Sequence, residues 1–330
     1  MSLTATYRIA PLIVDIARLH FHERVDSSEI LRLPIPSQDA LVANWGLLDI
    51  LGLLLSSNEG QTVATRALAF TWKASLATVT DDVDLFLHYM RRTGACLSGG
   101  KCLSILDRAA TWTAADWDFY CPHEGFDSFC LFLLHQLDGV TTHHTDWYGY
   151  DSNGNPYSTD GICERRRIRT DRATFDVMRS SSSSAFHPIA YFHSTLVMNY
   201  ITADSFCIAY PNSTLVRKIG LIQSRQLRPQ ASSALQKYRG RGYHFYREAR
   251  QFIAAPSTEC LPHGYCTRTR RFFGDKHCIS VTFGDTSTST HVVGSRLTTS
   301  WVFGGVACTT ACSAVLLRHH AESVLVGTSD

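Results

Sequence analysis

Residues 95–120 read ACLSGGKCLSILDRAATWTAADWDFY, and the rest of the chain takes its meaning from them. Three small residues, Ser98, Gly99 and Gly100, stand ahead of an apolar segment. The stretch then ends in Asp116 and Asp118, flanked by Trp117, Phe119 and Tyr120. Alternate residues of a strand share a face, so Asp116 and Asp118 lie on one side and Trp117 and Phe119 on the other. Neighbouring carboxylates repel each other and are costly to bury unpaired, so the pattern calls for a cation or a basic partner. A small-residue turn at the start of a helix presents backbone N–H groups that suit an anion.

Upstream, residues 1–92 have helical character. PLIVDIARLHFHERV and LVANWGLLDILGLLL carry apolar residues at three- and four-residue spacing. SSNEGQ separates the second from TVATRALAFTWKASLATV, and TDDVDLFLHYMRR opens with Thr80 as expected N-cap and closes at Gly94. The expected role is a helical support layer. Downstream, DWDFYC and ATFDVMRS are expected strands, and GFDSFCLFLLHQLDG an amphipathic helix ended by Gly139. Asn153-Gly154 between aromatic residues signals a hairpin turn, and Ser180 to Ser184 a loop. Periodicity does not separate helix from strand over FHPIAYFHSTLVMNYITADSFCIAYP, whereas SSALQKYRGRGYHFYREARQFIA reads as helical around Gly240 and Gly242. Beyond Pro256 the chain is rich in Cys, Gly and Thr with few helical signals. The expected class is α+β: a helical segment over 1–92, a core of mixed sheet and flanking helices over 93–255, and an irregular Cys-rich region over 256–330.

The 330 residues are 45% hydrophobic and 18% charged, values of a folded, soluble protein. A formal net charge of +2 gives no global basic field for nucleic acid, which is therefore not favoured as a partner. The most apolar run, WGLLDILGLLL, is too short for a membrane span and contains Asp49. The N-terminus lacks the pattern of a secretory signal, and the eleven cysteines are odd in number and scattered. Reduced thiols and an intracellular location, cytoplasmic or nuclear, are expected, so the sequon at Asn212 is expected to stay unglycosylated.

GACLSGGKC approaches the phosphate-loop pattern G-x-x-x-x-G-K-[ST] but fails it. One extra residue separates Gly94 from Lys101, and Cys102 stands where the magnesium-binding hydroxyl belongs. What remains is a shorter phosphate cradle. The turn, the helix and the Asp116-Trp117-Asp118-Phe119 strand together resemble the opening of the nucleotidyltransferase fold, the superfamily of poly(A) polymerases and aminoglycoside nucleotidyltransferases. That family's third carboxylate falls on a later strand, and Asp176 in TFDVM has that setting. The series SGG…DWDFY…FDV…FHSTLVMNYITAD…YP is also similar to a large, uncharacterised group of predicted proteins of basidiomycete fungi, from about Phe70 to about Phe273. Two features depart from the superfamily pattern: a long segment between turn and strand, and Ser98 in place of a hydrophobic residue.

The resemblance implies that Asp116, Asp118 and Asp176 bind Mg²⁺ or Mn²⁺. It also implies that Ser98, Gly99, Gly100 and Lys101 hold the phosphates of a nucleoside triphosphate. A hydroxyl acceptor, not identified by sequence, would receive the nucleoside monophosphate. His193, Thr195 and Asn199 are candidates for a base or acceptor pocket, or for polar groups satisfied within the core. Two plainer accounts stand beside catalysis. Asp116 and Asp118 can end a strand in water while Asp176 pairs with a nearby arginine, or the fold can serve a noncatalytic nucleotide-binding or adaptor protein. A loose F-box resemblance, carried by the leucine-rich helix before ATRALAFTWKASL, places a protein partner on the N-terminal helices, although Leu33-Pro34 is out of place for the F-box opening. Arg165, Arg166, Arg167, Arg169 and Arg172 form the densest basic cluster. On strands they divide between faces, as a charged edge strand would, and cannot all meet one ligand. Cys260, His263, Cys266, His277, Cys278, Cys308 and Cys312 supply ligand types for a structural zinc site, but no pair of tight CxxC motifs is present, so buried thiols are favoured. Asp151, Asn153 and Asn155 begin like a calcium loop, yet Pro156 occupies the glycine position.

Overall fold

Trp117 and Phe119 explain the architecture, because their face of the strand must be covered. The computed structural model describes residues 7–22, 27–146, 161–223, 229–247, 251, 270–283, 299–302 and 325–328. The chain begins with β1 (Tyr7–Ile9) and continues through α1 (Pro11–His22), α2 (Ser27–Leu31), α3 (Ile35–Val42), α4 (Leu47–Leu54), α5 (Asn58–Leu76) and α6 (Val83–Thr93). Then follow β2 (Cys96–Ser98), α7 (Gly99–Leu106), β3 (Asp116–Cys121), α8 (Phe126–Gln136), β4 (Val140–Asp146), β5 (Ile162–Arg169) and β6 (Thr174–Ser180). Short 3₁₀ turns at Pro188–Tyr191 and Thr195–Val197 lead into β7 (Asn199–Ile201) and β8 (Ser205–Ile208). The described remainder is a π-helical turn (Asn212–Val216), β9 (Ile219–Leu221), α9 (Pro229–Arg239), β10 (His244–Tyr246), β11 (Arg270–Phe272), β12 (Ile279–Thr282), β13 (Thr299–Val302) and β14 (Leu325–Thr328).

The fold is mixed α+β, built on a nine-stranded sheet of order β1-β12-β8-β7-β2-β3-β6-β5-β4. Within it β3 and β6 run parallel, and the other described pairings are antiparallel. The sheet draws strands from residues 1–92, 93–255 and 256–330 alike; among its described residues the N-terminal stretch is mainly helical, and its strand β1 pairs with β12. The C-terminal stretch supplies β12 to this sheet and a separate three-stranded sheet, β11-β13-β14.

One face carries Leu97, Trp117, Phe119, Phe175 and Val177, buried together with Trp72 of α5, Phe86 of α6 and Phe129 of α8. Phe119 lies 5.0 Å from Phe129, 5.7 Å from Phe86 and 6.2 Å from Phe175, ring centre to ring centre. Such aromatic side chains each bury a large apolar area, and their pairs add stabilisation beyond it. The other face carries Cys96, Tyr120 and Met178, packed with Phe186, Tyr200 and Trp301.

Two helix ends differ from expectation. Asp82 caps α6 by accepting from the Leu85 N–H at 2.8 Å, because the Thr80 hydroxyl already accepts from the Asp82 N–H in a turn ahead of the helix. Gly94, at φ +70°, closes α6 as expected. The helix expected to run through Gly240 and Gly242 stops at Arg239, and Gly242, at φ +87°, turns the chain into β10. The serine run is a loop, in which Ser180, Ser182 and Ser184 hydroxyls accept from N–H groups two residues on. The expected turn at Asn153-Gly154 and the calcium-like run fall outside the described residues. Among the described residues no helix is long and apolar enough to cross a membrane.

Candidate active site

Strand pairing brings the sequence motif together in a single row. Ser98 of β2 pairs with Asp118 of β3, Asp118 with Asp176 of β6, and Asp176 with Arg167 of β5. Directly paired residues share a face, so all four lie on the side away from the Trp117 core. Asp116, two residues before Asp118, pairs with Thr174 on that same side. The three carboxylates therefore occupy one face.

The turn is tied to Asp118 by sterics. Gly99 has φ +68°, and a Cβ placed there would meet Asp118 Oδ2 at 2.5 Å. Glycine is required twice over, for the backbone conformation and for the carboxylate's approach. At Gly100 a Cβ would meet the Tyr238 hydroxyl at 2.9 Å and Arg241 Nη1 at 3.9 Å. The C-terminal end of α9 and the turn after it thus lie against the small-residue turn. Ser98 does not cap α7; its hydroxyl donates to the Asn199 carbonyl at 2.5 Å and joins β2 to β7. Lys101 is not brought to the carboxylates. Its Nζ lies 4.7 Å from the centre of the Trp117 ring and 3.3 Å from the Thr113 hydroxyl. Trp117 projects from the opposite face of β3, and burial lowers the Lys101 ammonium from its ordinary value.

The carboxylates differ in their electrostatics. Burial, then the charges of Asp176 and Asp116, push Asp118 up to about 7 against the opposing pull of Arg165 and Lys237. Asp118 accepts no side-chain hydrogen bond from the described residues and is only partly buried. For Asp176, burial acts upward, but hydrogen bonds from Arg167 and Arg165 outweigh it and hold the carboxyl below its usual range. Asp176 Oδ1 accepts from Arg167 Nε at 2.9 Å and Arg165 Nε at 3.2 Å. Its Oδ2 accepts from Arg167 Nη2 at 2.7 Å and Arg165 Nη2 at 2.8 Å. Such paired forks are the strong form of the guanidinium–carboxylate contact.

This arrangement bears on metal. Asp116 and Asp118 are hard oxygen donors on one face, and the charges of Asp176 and Asp116 add to burial in raising Asp118, so these two fit one divalent cation. Asp176 does not fit the third-ligand role in this conformation, because both its oxygens are held by arginine. Among the described residues no group of three or more His, Cys, Asp or Glu is placed to hold an ion.

The basic cluster divides as strand geometry requires. Arg166 lies on the opposite face, where with Arg179 it binds Glu164 and Asp127 near the start of α8. Arg172 pairs with Asp81. β5 is not an edge strand, since β4 covers it.

Two of the candidate pocket residues bond the backbone. The Thr195 hydroxyl accepts from the Leu221 N–H at 2.9 Å, and Asn199 Nδ2 donates to the Leu196 carbonyl at 2.8 Å. Asn199 Oδ1 and His193 Nε2 are buried without a hydrogen-bond partner among the described residues. Burial pushes His193 down to about 4, leaving it neutral near pH 7. Of the suggested zinc ligands only His277 and Cys278 are described, and the Cys278 thiol lies within hydrogen-bonding reach of Arg271 and Asp275.

Sequence inspection missed Tyr238 and Arg241, which reach the turn from more than a hundred residues away, and Lys237, whose charge acts on Asp118. The pairing of Arg165 with Arg167 did carry a signal, since residues two apart on a strand share a face. No family model, no curated protein and no solved structure matches this chain.

Proposed function

We propose that the protein is nucleotidyltransferase-like: it binds a nucleoside triphosphate and moves the nucleoside monophosphate to a hydroxyl acceptor, releasing pyrophosphate. The observation that supports this is the row Ser98–Asp118–Asp176 on three adjoining strands, with the Gly99-Gly100 turn opening a helix directly against Asp118. Backbone N–H groups in the first turn of α7 would take phosphate oxygens, aided by the helix dipole. Lys237 and Arg241, at the end of α9 and in the turn after it, would add positive charge beside that turn. Asp116 and Asp118 would hold Mg²⁺ or Mn²⁺, which when bound neutralises phosphate charge and polarises the phosphoryl group. The chain's own contribution is to bind and orient the triphosphate, consistent with chemistry that depends mainly on positioning and electrostatics.

One observation favours a second reading. A carboxylate engaged by two arginine forks takes up a cation only if they let go, so the protein would bind nucleotide without transferring it. Ile35, Leu41 and Phe70, exposed on α3 and α5, would then offer apolar contacts to a protein partner. The test is incubation with nucleoside triphosphates labelled at the α-phosphate, Mg²⁺ or Mn²⁺, and hydroxyl acceptors such as RNA 3′ ends and proteins. Label transfer with matching pyrophosphate release supports the first reading. Nucleotide binding with no pyrophosphate release supports the second, and absence of both defeats the two together.

A further inference from the structure

We infer that Arg165 and Arg167 form a phosphate clamp for the triphosphate, and that Asp176 is the positioning residue that holds their guanidinium groups toward it. The inference rests on the nucleotide-binding reading above and departs from the metal role that the sequence resemblance implies for Asp176. Each guanidinium carries five N–H donors, and the four bonds to Asp176 use two from each. Three donors per arginine are left over. Both side chains are about a third exposed, at 33% and 39%, whereas the Asp176 side chain is 5% exposed. A buried carboxylate thus fixes two planar cations on side chains partly open to solvent, each with donors to spare for bidentate recognition of phosphate.

Their location completes the case. Arg167 stands in the same cross-strand row as Ser98, Asp118 and Asp176, and Arg165 lies on the same face two residues away. At roughly 5 Å between adjacent strands, Asp118 is one strand spacing from Asp176. A phosphate chain anchored on the Gly99-Gly100 turn and passing over Asp118 runs toward the arginine pair. Two cations beside Asp116 and Asp118 also lessen the repulsion that those carboxylates would exert on an anion.

The experiment measures three affinities on the full chain: inorganic tripolyphosphate in EDTA, ATP with Mn²⁺, and Mn²⁺ alone. The Arg165→Lys/Arg167→Lys variant is expected to bind tripolyphosphate about tenfold or more weakly, with Mn²⁺ affinity unchanged. Asp176→Asn is expected to weaken tripolyphosphate binding while changing Mn²⁺ affinity far less than Asp118→Asn does. Unchanged tripolyphosphate affinity in the arginine variant overturns the inference. So does an Asp176→Asn variant that binds tripolyphosphate as tightly as wild type, or that loses Mn²⁺ as Asp118→Asn does. If wild-type protein binds neither tripolyphosphate nor ATP with Mn²⁺, the nucleotide reading itself fails and the clamp with it. Should the double variant not fold, Arg167→Lys alone carries the same comparison, with a smaller loss expected.

Discussion

Replacing Asp118 by asparagine keeps the shape of the side chain and removes its charge, which makes it a sharp probe of the site's electrostatics. In the native protein Asp118 is pushed from 3.8 to about 7 by burial and by its carboxylate neighbours. A group whose native value lies above its unfolded value binds protons more tightly when folded, so stability falls as pH rises across that interval. The loss starts near pH 4 and levels off above pH 7. About three units at 1.36 kcal/mol each set a ceiling of about 4 kcal/mol. Asp118 is only partly buried, and solvent screening reduces the expectation to about 2 kcal/mol. The asparagine side chain does not ionise and escapes this penalty. Urea denaturation of both proteins at pH 3 and pH 8 should show Asp118→Asn nearly equal to wild type in acid and about 2 kcal/mol more stable in base. A difference independent of pH, or a variant less stable at pH 8, would refute the crowded-carboxylate account.

Three other substitutions test the fold around the site. Phe119→Ala removes a fully buried ring from the aromatic cluster on the opposite face and should cost about 3–5 kcal/mol in urea denaturation. Gly99→Ala imposes both a positive φ and a contact with Asp118, so it should destabilise by about 1–3 kcal/mol and weaken triphosphate binding. Gly242→Ala meets no atom within 4 Å and carries the backbone strain alone, so its effect on stability should be the smaller of the two and its effect on binding slight.

The parts of this fold legible from sequence were those set by local geometry. Alternation alone put Asp116 and Asp118 on one face and Trp117 and Phe119 on the other, and the structure has that arrangement. Asp176 was recognisable as an aspartate on a later strand, but its alignment with Asp118 depends on the parallel pairing of β3 with β6, across α8, β4 and β5. Lys101 lies close to the turn in sequence but beside the Trp117 ring in space. Two residues along a helix is about 200° of rotation, which carries its side chain away from Gly99. Thr80 looked like a cap because its residue type suits one, yet its hydroxyl bonds the Asp82 N–H and leaves the capping to Asp82. The approach of Tyr238 and Arg241 to Gly100 is a tertiary contact with no local signature.

The row Ser98–Asp118–Asp176 is proposed above to belong to a nucleoside triphosphate site. Its most direct test is titration calorimetry of the full chain with ATP, GTP, CTP and UTP, each with Mn²⁺, in wild type and in Asp116→Asn/Asp118→Asn. Saturable binding of at least one triphosphate to wild type is expected, weakened about tenfold or more in the double variant. Equal affinity in both proteins, or no binding to wild type, would contradict it.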